Sequence, residues 1–231
     1  MGETADKDKT AAAPRALRFK RRAAASGRGE SVVVFLHGYG ADGADLLGLA
    51  EPLAPQLPDT VFIAPDAPER SAVNPAGHQW FPIPWIDGSS AAQAMSGMAQ
   101  AAIDLDAFLD QVTEREGITP DRLAVIGFSQ GTMMALHVLP RRPAPVAGLV
   151  GFSGRLLAPE HLGAEVKSRF PVLLVHGDRD DVVPPQSMPE AARVLHDAGF
   201  PVSTHTSPGT GHGIAPDGLG AALAFLREHL G

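Results

Sequence analysis

The sequence contains no cysteine, and this absence excludes several kinds of chemistry. Without thiols there are no disulfides, no cysteine metal ligands and no thiol nucleophile, which agrees with a reducing compartment such as the cytoplasm. No continuous apolar stretch approaches the ~18 residues of a membrane-spanning helix, so stable membrane insertion is not expected. The N-terminal segment also lacks the apolar core of a secretory signal. We therefore expect a cytoplasmic protein.

Positive charge is scarce outside the first residues of the chain. The formal net charge is −7, but residues 1–29 carry eight Lys and Arg against three acidic residues, which leaves −12 on the remainder. An acidic body disfavours nucleic acid as a partner. The basic segment "RALRFKRR" is predicted to be solvated or to form a first strand. Binding of an anionic surface, such as nucleic acid or a membrane, is the less favoured alternative.

The length and composition indicate one globular domain. The chain has 231 residues, of which 44% are hydrophobic, enough to bury a sizeable core. Residues 1–14 are polar and rich in alanine, and we predict that they are disordered. Residues 15–231 are predicted to form a single domain.

Strand-like apolar runs alternate with segments of helical periodicity along this domain. The predicted strands lie at 32–38, 60–66, 122–128, 146–152, 171–177 and 201–207. The clearest predicted helices cover roughly 90–116, 187–198 and 217–230. Continuous apolar strands are typical of a sheet that helices cover on both faces. The repetition predicts an α/β fold with a mostly parallel, doubly wound sheet, whose functional groups gather at the carboxyl ends of the strands.

The tripeptide GFS follows two of these predicted strands. Ser129 lies in "GFSQG", which has the form G-x-S-x-G between a strand and a helix, the pattern of a nucleophile elbow. The helix that follows directs the backbone amide of Gln130 at a developing oxyanion. We therefore predict Ser129 as a nucleophile.

Ser153 has the first glycine of this pattern but not the second. Arg155 occupies the place of the second glycine in "GFSGRLL", and we expect Pro159 to interrupt any helix that starts there. Ser153 is predicted to be a small residue at the end of a neighbouring strand, near the rim of the site.

A serine nucleophile requires a base and an orienting carboxylate, which follow it in the order Ser, Asp or Glu, His in this architecture. Among the later histidines, His212 in "SPGTGHGIA" is the one in a glycine-rich loop directly after a strand. The acid must come from "HGDRDDVVP", which offers Asp178, Asp180 and Asp181. Spacing does not choose among these three carboxylates.

Two loops complete the predicted site. "FLHGYGADGADL" at 35–46 can bring the backbone amide of Tyr39 to the oxyanion, with His37 bracing the loop. A phosphate-binding loop is excluded because no G-x-x-x-x-G-K-[ST] or G-x-G-x-x-G pattern follows. The second loop carries aromatic residues that either line an acyl pocket or pin the loop to the body: Trp80, Phe81 and Trp85.

Several segments together resemble the phospholipase/carboxylesterase family of α/β-hydrolases, over roughly residues 30–230. They are "LHGYGADGADLLGLA", "APDAP…GHQWFPI", "GFSQG", "GFSGRL", "HGDRDDVVP" and "GTGHGI". The resemblance implies a serine hydrolase of esters or thioesters, without metal or cofactor. It also implies site roles: nucleophile Ser129, base His212, acid Asp180, and oxyanion amides of Tyr39 and Gln130.

From these features we expect a serine carboxylesterase that cleaves small or short-to-medium acyl esters through an acyl-enzyme. The short connection between residues 152 and 171 predicts no large cap domain. The alternatives are an acyl-protein thioesterase or lysophospholipase acting on longer chains, and a non-catalytic binding module on a hydrolase scaffold. We expect a small-molecule ester substrate and no nucleic-acid partner, and we allow for a homodimer.

Overall fold

The computed structural model describes residues 12–231, and a seven-stranded sheet organises them. Residues 1–11 of the segment predicted to be disordered lie outside the described residues. The strands are β1 (Phe19–Arg22), β2 (Ser31–Leu36), β3 (Thr60–Pro65), β4 (Glu69–Arg70), β5 (His78–Gln79), β6 (Leu123–Phe128), β7 (Gly148–Phe152), β8 (Val172–Gly177) and β9 (Val202–Ser207). The sheet has the order β1-β3-β2-β6-β7-β8-β9, and β4 and β5 form a separate small hairpin.

All neighbouring strands of the large sheet are parallel except β1, which pairs antiparallel with β3. The predicted mostly parallel sheet is therefore confirmed, and the six predicted strands are all present. In β2 every residue is buried, because alternate side chains enter two different apolar clusters. Val32 and Val34 face one cluster, whereas Val33 and Phe35 face the other. This double burial explains the continuous apolar runs of the sequence.

Helices cover both faces of the sheet. They are α1 (Gly43–Leu47), α2 (Ala50–Leu53), α3 (Pro84–Asp87), α4 (Ala91–Glu116), α5 (Gln130–Val138), α6 (Pro159–Glu165), α7 (Ser187–Asp197) and α8 (Pro216–Leu230). Apolar side chains of α4, α5 and α7 share one cluster, and those of α1, α2 and α8 share the other. Within residues 12–231, no helix is long and apolar enough to cross a membrane.

The longest helix, α4, has clear signals at both ends. Ser90 caps its first turn in a reciprocal capping box with Gln93. Gly117 ends the helix in the left-handed conformation, with φ +66°. Because these signals are local, the predicted bounds of roughly 90–116 agree closely with the structure.

The structure corrects the expectation for Pro159. Rather than interrupting a helix, Pro159 is the first residue of α6, where its missing N–H has no intrahelical partner to lose. This seven-residue helix is the only helix between β7 and β8. The connection accordingly contains no large cap domain, as predicted.

The basic N-terminal segment forms the first strand, which was one of its two predicted states. Arg21 on β1 makes two hydrogen bonds to the carboxylate of Glu116 at the end of α4, at 2.9 and 2.7 Å. Before this strand, Arg15 binds the fully buried carboxylate of Asp104 through its backbone N–H, its Nε and its terminal nitrogen, at 2.7 to 2.8 Å. The chain is thus tied to α4 from residue 15 onward.

We predict that Arg15→Ala lowers the free energy of unfolding by about 1–3 kcal/mol, because it removes charged hydrogen bonds from a buried carboxylate. The matched control is Arg18→Ala, which truncates an exposed arginine of the same segment and should change stability by less than about 0.5 kcal/mol. Urea unfolding measures both values. Equal effects of the two substitutions would contradict a specific role for the Arg15–Asp104 pair.

Candidate active site

The polar residues singled out in the sequence all follow strands at the same, carboxyl, edge of the sheet. Ser129 follows the central strand β6, and Asp180 and His212 follow β8 and β9. Tyr39 follows β2, directly beside β6. Parallel strands bring these loops together, although the residues lie far apart in the chain.

Ser129 occupies a sharp turn between β6 and α5. Its φ is 52° and its ψ is −114°, a conformation that few non-glycine residues adopt. Its backbone N–H donates to the carbonyl oxygen of Phe152 on β7 at 2.9 Å, which fixes the turn against the neighbouring strand. Ser129 is 8% exposed, so it sits at the surface of the edge without projecting from it.

Glycines allow this turn to approach its neighbours. A Cβ at Gly131 would overlap the carbonyl oxygen of Leu36, and one at Gly127 would lie 2.6 Å from the backbone nitrogen of Thr132. Both glycines of the G-x-S-x-G pattern are therefore required by close backbone contacts. The first turn of α5 rests directly on the end of β2 because of them.

Ser153 resembles Ser129 in backbone but not in surroundings. It also has a positive φ, 47°, and its N–H donates to the carbonyl oxygen of Val175 on the next strand. However, it is 1% exposed, and within the described residues its hydroxyl has no hydrogen-bond partner. The next helix begins only at Pro159. As predicted, Ser153 ends the strand beside that of Ser129.

The structure joins His212 to one of the three candidate carboxylates. His212 Nδ1 lies 2.8 Å from Asp180 Oδ2, and the ring of His212 lies 4.9 Å, centroid to centroid, from that of Phe128, the residue before Ser129. An ionised carboxylate accepts a hydrogen bond from the Nδ1–H of His212, which leaves Nε2 without a proton and free to accept one. Within residues 12–231, no hydrogen bond joins the Ser129 hydroxyl to His212. Such bonds between catalytic groups often tighten only in the substrate complex.

The other two carboxylates of this loop have different surroundings. Asp178 accepts a hydrogen bond from the backbone N–H of Gly209 at 2.6 Å and ties two loops together. Asp181 is exposed to solvent. Asp180 is buried, and its Oδ1 accepts from the amides of Val182 and Val183, both at 2.9 Å. Geometry therefore distinguishes the three residues that spacing left equivalent.

The electrostatics of Asp180 favour its ionised form. Burial acts to raise the pKa of this carboxyl group. The hydrogen bond from His212 and the amides of Val183 and Val182 outweigh burial and hold the pKa below its ordinary value. A carboxylate that stays ionised can orient an imidazole and stabilise its protonated form.

The loop after β2 lies against the turn of Ser129. A Cβ at Gly38 would be 3.3 Å from the Cβ of Ser129, so the loop passes directly beside the serine. His37 braces this loop as predicted: its Nε2 accepts from the Ala67 N–H at 2.9 Å, and its Nδ1 therefore donates to the Gly38 carbonyl at 2.7 Å. Burial lowers the pKa of His37 and keeps it neutral. His37 is therefore neutral and hydrogen-bonded at both ring nitrogens, which gives it a structural role.

Tyr39 is anchored at the rim by its side chain. Its hydroxyl donates to Asp87 Oδ2 at 3.2 Å, and the same carboxylate oxygen accepts from the Ile83 N–H at 2.8 Å. Burial, followed by the charge of Asp87, raises the pKa of the Tyr39 hydroxyl. The bond links the loop after β2 to α3.

The three aromatic residues of the second loop separate in the structure. Trp80 is fully buried and its Nε1 donates to the His37 carbonyl at 3.0 Å, so it anchors the loop and presents no surface to a substrate. Phe81 is 9% exposed, and Trp85 is 76% exposed on α3. For Trp80 the burial agrees with the second of the two alternatives, a side chain that pins the loop to the body.

The sequence analysis missed two buried side chains beside the predicted residues. The Gln130 side chain accepts from the Trp80 N–H and donates to the Phe81 carbonyl, both at 2.8 Å. His176 on β8 lies 3.2 Å from Asp180 Oδ2. His176 could have been recognised from the sequence because it is a polar residue inside an apolar run. For Gln130 the sequence pattern predicts a role of the backbone amide and says nothing about the side chain.

No metal site accompanies these groups in the part of the chain that the structure describes, where no cluster of three or more His, Asp or Glu side chains is placed to hold an ion.

A doubly wound parallel sheet with a strained serine between its central strand and a helix defines an α/β-hydrolase. The protein is a serine hydrolase of this class.

Comparison with known proteins identifies the family. A model described as Phospholipase/Carboxylesterase matches residues 22–230, and the chain belongs to this family. A probable carboxylesterase of Oryza sativa subsp. japonica is 31% identical over 224 residues, which cover 90% of this chain and 81% of the relative. Acyl-protein thioesterase 1 of Gibberella zeae is 28% identical over 213 residues, which cover 87% and 91%.

Similar proteins are also found among solved structures. The crystal structure of esterase PE8 superposes with a TM-score of 0.89 at 44% identity, and the match covers 94% of this chain and all of that one. The similar proteins thus include both esterases and thioesterases.

We predict that Gly131→Ala lowers the free energy of unfolding by at least the ~1–3 kcal/mol of an overpacked core, because the new methyl group overlaps the Leu36 carbonyl. The control is Gly220→Ala in α8, where a Cβ would meet nothing within 4 Å. That change should stabilise the protein by about 1 kcal/mol through helix propensity. Denaturant unfolding measures the change in the free energy of unfolding for both variants. A stabilised Gly131→Ala variant would contradict the close contact.

Proposed function

We propose that the protein is a serine carboxylesterase in which Ser129, His212 and Asp180 form the catalytic triad. One observation carries this proposal: His212 is bonded at 2.8 Å to a buried carboxylate while its ring packs against the residue that precedes the strained Ser129. Asp180 holds the imidazole in the tautomer with the proton on Nδ1. Nε2 then acts as the base for the serine hydroxyl.

In the first half of the reaction, Ser129 Oγ attacks the acyl carbonyl carbon and His212 Nε2 takes the hydroxyl proton. The carbonyl oxygen becomes an oxyanion, which accepts hydrogen bonds from the backbone amides of Tyr39 and Gln130. When the tetrahedral intermediate collapses, the bond to the alkoxy oxygen breaks. The protonated His212 gives its proton to that oxygen, the alcohol leaves, and the acyl group remains on Ser129.

In the second half, water replaces the alcohol. His212 takes a proton from the water molecule as its oxygen attacks the acyl carbon, and the same two amides stabilise the second oxyanion. Collapse breaks the ester bond to Ser129 Oγ, which recovers its proton from His212, and the carboxylic acid leaves.

We further propose that the substrates are small or short-to-medium acyl esters. Two features support this range. The connection between β7 and β8 holds only α6 and therefore no cap to enclose a long chain. Trp80 and Phe81 of the aromatic loop are buried, so they offer little surface to a long acyl chain.

An acyl-protein thioesterase or lysophospholipase is the second candidate. Relatives named acyl-protein thioesterase 1, such as that of Gibberella zeae at 28% identity, favour it. The exposed Trp85 and Ile86 on α3 supply apolar surface at the rim, on which a longer acyl chain could lie. The location of the protein in the cytoplasm and its assembly as a homodimer remain further proposals.

We predict that a fluorophosphonate probe labels the wild-type protein and Ser153→Ala, but not Ser129→Ala. Loss of the nucleophile should also reduce ester turnover by about 10⁶-fold. Ser153→Ala is the matched control, because Ser153 ends the neighbouring strand with a similar positive φ. Mass spectrometry of the labelled protein identifies the modified residue. Labelling that persists in Ser129→Ala would overturn the triad.

We predict that kcat/KM falls as the acyl chain lengthens across a panel of esters from C2 to C16, because a site without a cap gains little from a long chain. Thioesters of matched acyl length are assayed alongside, with Ser129→Ala as the blank. A maximum at C12 to C16, or a thioester preference at every length, would replace the proposed range with the second candidate.

A further inference from the structure

A second histidine contacts the proposed catalytic carboxylate, and the mechanism above does not use it. His176 lies on β8 and is 2% exposed. Its Nε2 is 2.9 Å from the carbonyl oxygen of Val183 and 3.2 Å from Asp180 Oδ2. A carbonyl oxygen only accepts hydrogen bonds, so Nε2 carries the proton and donates it to Val183. The same polarised N–H lies beside Asp180 Oδ2 as a close polar contact.

This contact completes the surroundings of the carboxylate. Oδ1 of Asp180 accepts from two backbone amides, those of Val182 and Val183. Oδ2 is shared by the two imidazoles, with His212 Nδ1 at 2.8 Å and His176 Nε2 at 3.2 Å. Each oxygen therefore has two polar contacts. The amides that bind Oδ1 come from the loop after β8, whereas His176 belongs to the strand itself.

We propose that His176 is a positioning residue that holds Asp180 Oδ2 against His212 during catalysis. This inference rests on the proposed function, since it acts through the Asp180–His212 pair. A carboxylate held only at Oδ1 can rotate about its Cβ–Cγ bond, and its other oxygen then leaves the plane of the His212 ring. The N–H of His176 opposes that rotation from a buried strand.

The same N–H also changes the charge that His212 experiences. It places the partial positive charge of its hydrogen beside the oxygen that binds His212. The neighbouring acidic residues of the same loop face elsewhere: Asp178 is turned to the Gly209 amide, and Asp181 is exposed to solvent.

The test compares two side chains of similar length and shape, His176→Gln and His176→Met. Gln retains an N–H donor, whereas Met fills the site without one. We expect Met to lower kcat by about 10–100-fold with little change in KM, the range for loss of one polar interaction with a charged group. Gln should restore most of kcat.

A double-mutant cycle shows whether His176 acts through Asp180. In an Asp180→Asn background the charged oxygen is gone, so His176→Met should change the remaining turnover by less than about 2-fold. An unchanged 10–100-fold loss in that background would overturn the proposal, because His176 would then act by another route.

The controls separate this inference from folding and from the proposed function. His196→Met alters an exposed histidine on α7 and should leave kcat unchanged. Urea unfolding reports the stability of each variant. If the His176→Met variant fails to fold, the His176→Gln variant alone tests the proposal. A folded His176→Gln variant with a large loss of kcat overturns it. Wild-type kinetics in His176→Met refute the positioning role while Ser129 labelling still supports the triad.

Discussion

The contact between the carboxyl end of β2 and the first turn of α5 is the constraint on which the site depends. A side chain at Gly131 would overlap the Leu36 carbonyl, so the two backbones meet directly. Leu36 is also paired with Gly127 across the parallel strands β2 and β6. The loop after β2 and the turn of Ser129 therefore leave the sheet side by side. The proposed oxyanion site requires this small spacing, because it lets the amides of Tyr39 and Gln130 converge on one oxygen.

A buried polar network holds the surrounding loops to that contact. His37, Gln130 and Trp80 exchange hydrogen bonds with the backbone of loops after β2, β3 and β5. His37 is neutral in this network, because burial lowers its pKa. A fully satisfied network of neutral groups rigidifies a site without the desolvation penalty of a buried charge. The one buried charge beside it, Asp180, belongs to the other half of the site.

Features that depend on periodicity or on a local pattern could be predicted from the sequence. The continuous apolar strands, the bounds of α4 and the turn of Ser129 belong to this group. Features that depend on contacts between distant segments could not. Three carboxylates at equal spacing differ only in burial and partners, so Asp180 needed a family resemblance or a structure. His176 lies in an apolar run and looks like a core residue, while Trp80 is compatible with a pocket or with an anchored loop until its burial is known.

The proposed catalytic groups are divided between the centre and the margin of one sheet. Ser129 follows β6, which has neighbours on both sides, whereas His212 follows β9, the last strand, most of whose residues are exposed or half-buried. Edge segments open locally at a lower free energy than the core of a domain. Fraying of this margin would remove the proposed base, His212, while the proposed nucleophile, Ser129, and the central strands stay in place. Turnover is therefore more sensitive to local opening at the edge of the sheet than any signal of global unfolding.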